Sequence, residues 1–362
     1  MIRGHGGNIY ELASALGCSV DEIIDMSSNV NPLGPPPGLL THLKKHMDQI
    51  RALPEVDAHH AVERFADHFG ISPNQILAGN GTTQLIYDLP RALETQLALI
   101  VGPTYADYRD GCRQHHVDSA YWLTRKADDF QPDIAAIEDV LPSCDTVYIC
   151  NPNNPTGTLV EGETLRRLSR KFPAKTFIID ESYLPFVPDP ERWSLMVHRP
   201  KNVLVLHSMS KIFRIPGLRI GFAIGESTLI DRLRTYALPW SVNSLALEAV
   251  QYLLCPNEAI DQFVADTRIL LEAEKKAMRK RLSRIHGIRL IPSVTGFFLV
   301  QLPPPHRSGV VCRQLAQEKI LVRDCANFKG LSDRFIRISL QDKAKNRKCA
   351  ETLERLLKPE AT

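Results

Sequence analysis

The sequence lacks the features that mark several protein classes. No apolar run approaches the roughly 20 residues that span a bilayer, so no membrane association is expected. The first ten residues are Gly-rich and poor in apolar side chains, unlike a signal peptide. Neither charge sign dominates. Forty-four Lys+Arg against 41 Asp+Glu leave a formal charge of +3, too balanced to point to nucleic acid or an anionic membrane as partner. The eight cysteines include no C-x-x-C pair, which argues against a disulfide scaffold and for reduced thiols in the cytoplasm. The 12 histidines include His59-His60 and His115-His116 but no H-E-x-x-H, so no metal is expected. A P-loop is excluded because Gly-Lys never occurs, and a Rossmann fingerprint because Gln84 stands where the third glycine would fall.

What is present is a length of 362 residues with 44% hydrophobic and 23% charged side chains, as in globular chains of about two domains. Leu97–Gly102, Thr146–Cys150, 176–179 and 203–206 are short, continuously apolar runs. Such runs suit strands buried on both faces of a parallel sheet, and helical patterns such as 163–171 lie between them. Residues 218–224 read as a further strand, close enough behind 203–206 to be antiparallel. Toward the carboxyl end, 259–285 predicts one long helix with a solvated basic face (Arg268, Lys275, Lys276, Arg279, Lys280, Arg281 and Arg284). After it, 296–302, 320–323 and 335–340 read as strands of a smaller α+β unit. The expected plan is a large α/β domain over 46–258 and a small α+β domain built from 1–45 and 259–362.

Chemistry concentrates at the carboxyl ends of the apolar runs, where open α/β sheets bind ligands. Ser208-Met209-Ser210-Lys211 is followed by Arg219. Ser-x-x-Lys also occurs in serine β-lactamases, but the Ser-Asp-Asn and Lys-Thr-Gly that those enzymes need are missing. The alternative is a lysine that forms a Schiff base with an aldehyde while hydroxyl and guanidinium hold a phosphate. Asn151 to Gly157 reads NPNNPTG, and Asp180-Glu181-Ser182-Tyr183 closes the next run. Gly81, Thr82 and Thr83 precede a helical pattern over 84–93, and a helix start with hydroxyls is a phosphate site.

In this order the segments resemble the fold-type I pyridoxal-phosphate enzymes of the aminotransferase superfamily, whose large domain holds a mostly parallel, seven-stranded sheet flanked by helices. His5-Gly6-Gly7-Asn8, the SNVNPLG of 28–34, the PWSVN of 239–243 and the CANF of 325–328 are more narrowly similar to the threonine-phosphate decarboxylase family of cobalamin biosynthesis. Histidinol-phosphate aminotransferases are that family's near relatives. The resemblance implies pyridoxal 5′-phosphate as cofactor, a small phosphorylated amino acid as substrate and a homodimer. Lys211 would bind the aldehyde and move protons, and Asp180 would keep the pyridine nitrogen protonated. Asn154 and Tyr183 would bond the ring's 3′-oxygen, and Tyr105 would stack on the ring unless it is a core aromatic. Gly81, Thr82, Thr83, Ser208 and Arg219 would take the cofactor phosphate, with Ser210 assisting. Arg337 matches the position that binds a substrate carboxylate, for which a planar fork is suited. Arg323, with His5 and Asn31, is the expected anchor of the substrate phosphate; a surface ion pair is the other reading of Arg323.

Two positions depart from the family pattern. Relatives carry a tyrosine where this chain has Leu53, before Pro54, and an acidic residue where it has Gln84. The activity implied is decarboxylation of L-threonine O-3-phosphate to (R)-1-aminopropan-2-ol O-2-phosphate. An aminotransferase acting on histidinol phosphate and a non-catalytic cofactor-binding regulator are the alternatives.

Overall fold

The four continuously apolar runs are neighbouring strands in the computed structural model, which describes residues 6–358. The strands, in chain order, are β1 (Ile24–Met26), β2 (Ile76–Asn80), β3 (Leu97–Gly102), β4 (Asp118–Leu123), β5 (Thr146–Cys150) and β6 (Thr176–Asp180). They continue with β7 (Val203–Ser208), β8 (Ile220–Ile224), β9 (Arg289–Leu290), β10 (Phe297–Gln301), β11 (Ile320–Asp324) and β12 (Phe335–Ser339). A seven-stranded sheet has the order β2-β8-β7-β6-β5-β3-β4. Only β8 runs against its neighbours, pairing antiparallel with both β2 and β7. This is the fold-type I architecture, and the short connection from β7 to β8 has the antiparallel outcome expected of it.

Continuous apolarity in these strands follows from cover on both faces. Val147, Ile149, Val203 and Val205 pack into one hydrophobic cluster, while Tyr148, Cys150, Leu204 and Leu206 pack into another on the opposite face. Strand β4 escaped the pattern because DSAYWL alternates at a sheet edge, and β2 because ILAGN carries a glycine. The helix expected over 84–93 begins earlier and runs Gly81–Ala92, so the phosphate-type loop is itself its first turn. The strand expected from 218 starts only at Ile220, because Pro216–Leu218 is a 3-10 turn and Arg219 takes a left-handed φ of 58°.

The second sheet has five strands in the order β1-β11-β12-β10-β9. Strand β1 comes from the amino-terminal segment and pairs parallel with β11, Ile24 opposite Ile320. The helix Glu258–Leu282 leads from the large sheet to this one. Helix Leu39–Lys45 lies against helix Ser244–Leu253, where His42 meets Glu248. All of β2, β5, β6 and β7 point the same way. Their carboxyl ends therefore form one edge, and Gly81, Asn154, Asp180 and Lys211 all follow from it.

Candidate active site

Lys211 sits in a single helical turn, Met209–Ile212, directly after β7. Its carbonyl accepts the Asn31 N–H at 3.0 Å, and Arg214 donates to the Asn31 carbonyl at 2.8 Å, which fixes the turn against the amino-terminal segment. The Lys211 side chain is partly buried, and among the described residues its amine makes no hydrogen bond or ion pair. Burial, with the Arg219 and Arg337 charges, pulls its pKa down to about 8 despite the opposing field of Asp180. An amine so placed is neutral, and nucleophilic, far more often than a surface lysine.

Asp180 ends β6 and is buried. One carboxylate oxygen accepts the Tyr108 hydroxyl at 2.7 Å and the other accepts the Ser182 N–H at 3.0 Å. Tyr108, stacked on Tyr148 with ring centroids 5.4 Å apart, was not singled out from the sequence. The available signal was its place in the helix Asp107–Gln114, immediately behind Tyr105. Tyr105 and Tyr108 meet edge to face at 5.9 Å, and burial raises the Tyr105 pKa above the usual phenol range.

Tyr183 accepts the Asn29 side-chain N–H at 3.3 Å, and Asn29 in turn accepts the Ser339 hydroxyl. Burial pushes the Tyr183 phenol up to about 12, with Arg337 opposing the shift, so the hydroxyl keeps its proton at neutral pH. Arg337 is buried on β12 and donates to the Asn154 side-chain oxygen and the Ser27 carbonyl. Its Nε is buried with no partner, and its guanidinium lies 5.4 Å from the Phe297 ring centroid. The Asn154 amide, turned by Arg337, keeps its nitrogen as a donor with no partner among the described residues.

Strand register places Arg323 directly opposite Arg337, which the sequence alone did not reveal. Arg323 donates to Asn327 at 2.9 Å and lies 5.1 Å from the Phe328 ring centroid. It forms no ion pair among the described residues, so the surface-pair reading does not hold. The amino-terminal chain runs against it: a Cβ on Gly6 would stand 3.4 Å from the Arg323 Cδ. His5 lies outside the described residues.

Two expectations need correction. Asn31 is fully buried, and its amide donates to the Ile212 carbonyl at 2.8 Å and the Thr267 hydroxyl at 2.7 Å. Its donors are thereby occupied and it positions the lysine turn instead of meeting substrate. Ser210 points its hydroxyl at the Ile220 carbonyl, 3.4 Å away, bracing the same loop.

The phosphate end fits a phosphate. Asn80 makes no side-chain cap, so the first amides of helix Gly81–Ala92 are left for a ligand. Arg219 closes over this helix start: a Cβ on Gly81 would fall 2.5 Å from the guanidinium, and Arg219 donates to the Thr83 hydroxyl at 3.4 Å. A Cβ on Gly221 would meet the Thr82 nitrogen at 2.6 Å, so β8 approaches the loop only as glycine. Gln84 replaces the acidic residue of the family pattern by accepting the Asn80 N–H at 2.7 Å. Leu53 is 74% exposed, with no polar group to offer a phosphate. Aldehyde trap, buried carboxylate, phenol, amide donor and anion cradle together match the functional groups of pyridoxal phosphate.

The model of a family described as aminotransferase class I and II matches residues 21–354. A threonine-phosphate decarboxylase from Salmonella typhimurium is 32% identical, over 98% of this chain and 96% of that protein. The crystal structure of L-threonine-O-3-phosphate decarboxylase from Porphyromonas gingivalis superposes with a TM-score of 0.82 at 30% identity, covering 92% of this chain and 99% of that one. A histidinol-phosphate aminotransferase from Clostridium acetobutylicum gives a TM-score of 0.84 at 26% identity, with the same coverage of 92% and 99%.

Proposed function

The chain belongs to the aminotransferase class I and II family, and from that premise we propose that it decarboxylates L-threonine O-3-phosphate to (R)-1-aminopropan-2-ol O-2-phosphate and CO2, a step of cobalamin biosynthesis. Pyridoxal phosphate is the cofactor; when bound it supplies an aldehyde for amine capture and a ring that accepts the electron pair left by a broken Cα bond. Lys211 Nζ is the amine that would hold the aldehyde carbon. Asp180, held by Tyr108 and the Ser182 amide, keeps a proton on the ring nitrogen. The Tyr183 hydroxyl and the Asn154 amide would donate to the ring oxygen, and Tyr105 would cover a ring face. Gly81, Thr82, Thr83, Ser208 and Arg219 hold the cofactor phosphate.

Arg323 and Arg337, opposed on neighbouring strands with no carboxylate bonded to either, carry this reading. A substrate with a carboxylate and a phosphate gives each guanidinium an anion. Arg337 would grip the carboxylate and Arg323 the phosphate. Which Cα bond breaks depends on how the substrate is held, and these two arginines do the holding. When the bond to the carboxylate breaks, CO2 would leave without the bonding pair, which stays on the Cα side. Lys211 Nζ, freed when the substrate's amine takes its place on the aldehyde carbon, would then carry a proton to Cα.

On the same reading residues 46–258 form the large cofactor-binding α/β domain, and 1–45 with 259–362 the small α+β domain. A homodimer is part of the proposal. Met47, Ile50, Leu53, Val56, Leu238 and Trp240 are exposed apolar side chains, and the Trp240 N–H bonds the Val56 carbonyl at 3.0 Å, joining two of these segments. No helix among the described residues is long and apolar enough to cross a membrane. The eight unpaired cysteines fit a reducing, cytoplasmic setting.

Purified protein mixed with L-threonine O-3-phosphate is expected to release CO2 without 2-oxoglutarate. Transfer of the amino group to 2-oxoglutarate with no CO2 would assign the aminotransferase reaction instead.

A further inference from the structure

His42 and His46 stand four residues apart at the end of helix Leu39–Lys45 and so share one helical face. Opposite them, on helix Ser244–Leu253, is Glu248. One Glu248 oxygen lies 3.1 Å from His42 Nε2 and 3.7 Å from His46 Nε2. One ligand atom from each of the three residues falls within 4.8 Å of the others. Ligands bound tetrahedrally at 2.0–2.1 Å from zinc stand about 3.3 Å apart, so the observed separations bracket what a zinc ion needs.

The surroundings orient all three groups. His46 Nδ1 is 2.8 Å from the His42 carbonyl, a contact only a protonated Nδ1 can make as a donor. That fixes the tautomer and leaves the Nε2 lone pair facing Glu248. Gln49 donates to the other Glu248 oxygen at 2.7 Å, which turns the free oxygen toward the imidazoles. The His42 ring rests 5.0 Å from Tyr252, whose hydroxyl is tied to the Pro37 carbonyl at 2.8 Å. Glu248 and His42 are largely shielded, with 19% and 23% of their side chains accessible, whereas His46 at 36% borders solvent. The shielded side is built and the open side leaves room for a water.

We propose that His42, His46 and Glu248 bind a divalent transition cation of the zinc type, with water in the fourth position. Two imidazoles and a carboxylate suit zinc in preference to magnesium or calcium, which favour all-oxygen shells. The ion ties the Leu39–Lys45 helix to the Ser244–Leu253 helix and steadies the segment that leads to Leu53. It takes no part in the decarboxylation, and the proposal stands whether or not that reaction is the right one.

The test uses tag-free holoenzyme, freed of unbound cofactor because pyridoxal phosphate itself chelates metals. Titration with Zn2+ by calorimetry is expected to show one equivalent bound, and Co2+ is expected to give the visible band of a tetrahedral ion. His42→Gln and His46→Gln are each expected to weaken Zn2+ binding at least ~10-fold. Glu248→Gln is expected to do the same and to lose the tetrahedral Co2+ band. His59→Gln, at an exposed histidine facing Glu63, is the control and is expected to change nothing. An unchanged cofactor spectrum shows that each variant is folded. Absence of stoichiometric uptake, or equal affinity in all four variants, would overturn the proposal and leave the cluster an ion pair alone.

Discussion

Arg323 and Arg337 are partners across the β11–β12 ladder, so their side chains leave the sheet on the same face. Like charges placed opposite each other destabilise a strand pair. Burial lowers the pKa of both guanidiniums, and the Arg337 charge lowers that of Arg323 further. On the proposed reading, the carboxylate and the phosphate of the substrate would neutralise the pair.

Arg323→Gln should therefore separate recognition from folding. The kcat/KM for threonine phosphate is expected to fall about tenfold to a hundredfold, the worth of charge-assisted hydrogen bonds. Activity on unphosphorylated threonine should change much less, and the thermal midpoint should hold or rise as repulsion is relieved. Equal losses on both substrates would remove Arg323 from the phosphate site.

Tyr108→Phe deletes the hydroxyl that bonds Asp180. It leaves a buried carboxylate oxygen without its donor, which costs about 1–3 kcal/mol. The expected results are a lower denaturant midpoint and a several-fold faster loss of cofactor by dialysis, with the covalent lysine linkage still formed. A variant with wild-type cofactor retention would show that Asp180 needs no such support.

The Lys211 amine, with a pKa lowered to about 8 by burial and its arginine neighbours, predicts a specific pH profile. Only the neutral amine attacks a carbonyl. Capture of pyridoxal phosphate by the cofactor-free protein should speed up about tenfold per pH unit below 8 and level off above it. An unshifted lysine would keep accelerating past pH 10. Stopped-flow absorbance distinguishes the two, and Lys211→Ala should give no band fixable by borohydride.

His207 is buried against Phe65 and Phe69, and burial, aided by the nearby His68, lowers its pKa to about 4 from an ordinary 6.5. The unfolded chain therefore binds more protons than the native one between those values. Stability is complete above pH 6.5 and declines as pH falls toward 4, by about 2 kcal/mol at pH 5 from this group. His207→Leu should flatten that part of the urea-midpoint profile. If the slopes of variant and parent coincide, His207 is not the titrating group.

The cofactor end was legible in the sequence because each of its residues follows an apolar run whose character is unmistakable. Asp180 closes TFIID, Asn154 lies just beyond TVYIC, and Lys211 follows VLVLHS. Parallel strands then bring those ends to one edge without further information. Residues that act through another side chain left no such mark. Tyr108 and Asn29 resemble ordinary helix and loop residues until their hydrogen bonds to Asp180 and Tyr183 are seen. The pairing of Arg323 with Arg337 depends on register, which a one-residue slip would reverse. The same blindness to tertiary contact made Asn31 look like a ligand, and it hid Glu248 from His42 and His46, 206 positions away from the first of them.

The parallel pairing of β1 with β11 sets a timetable for the growing polypeptide. Residues 24–26 leave the ribosome early and must wait for residues 320–324 before their sheet can close. By then every strand of the larger sheet has emerged. The larger sheet can therefore be complete while β1 still lacks its neighbour, and the register that sets Arg323 opposite Arg337 is among the last long-range pairings to form.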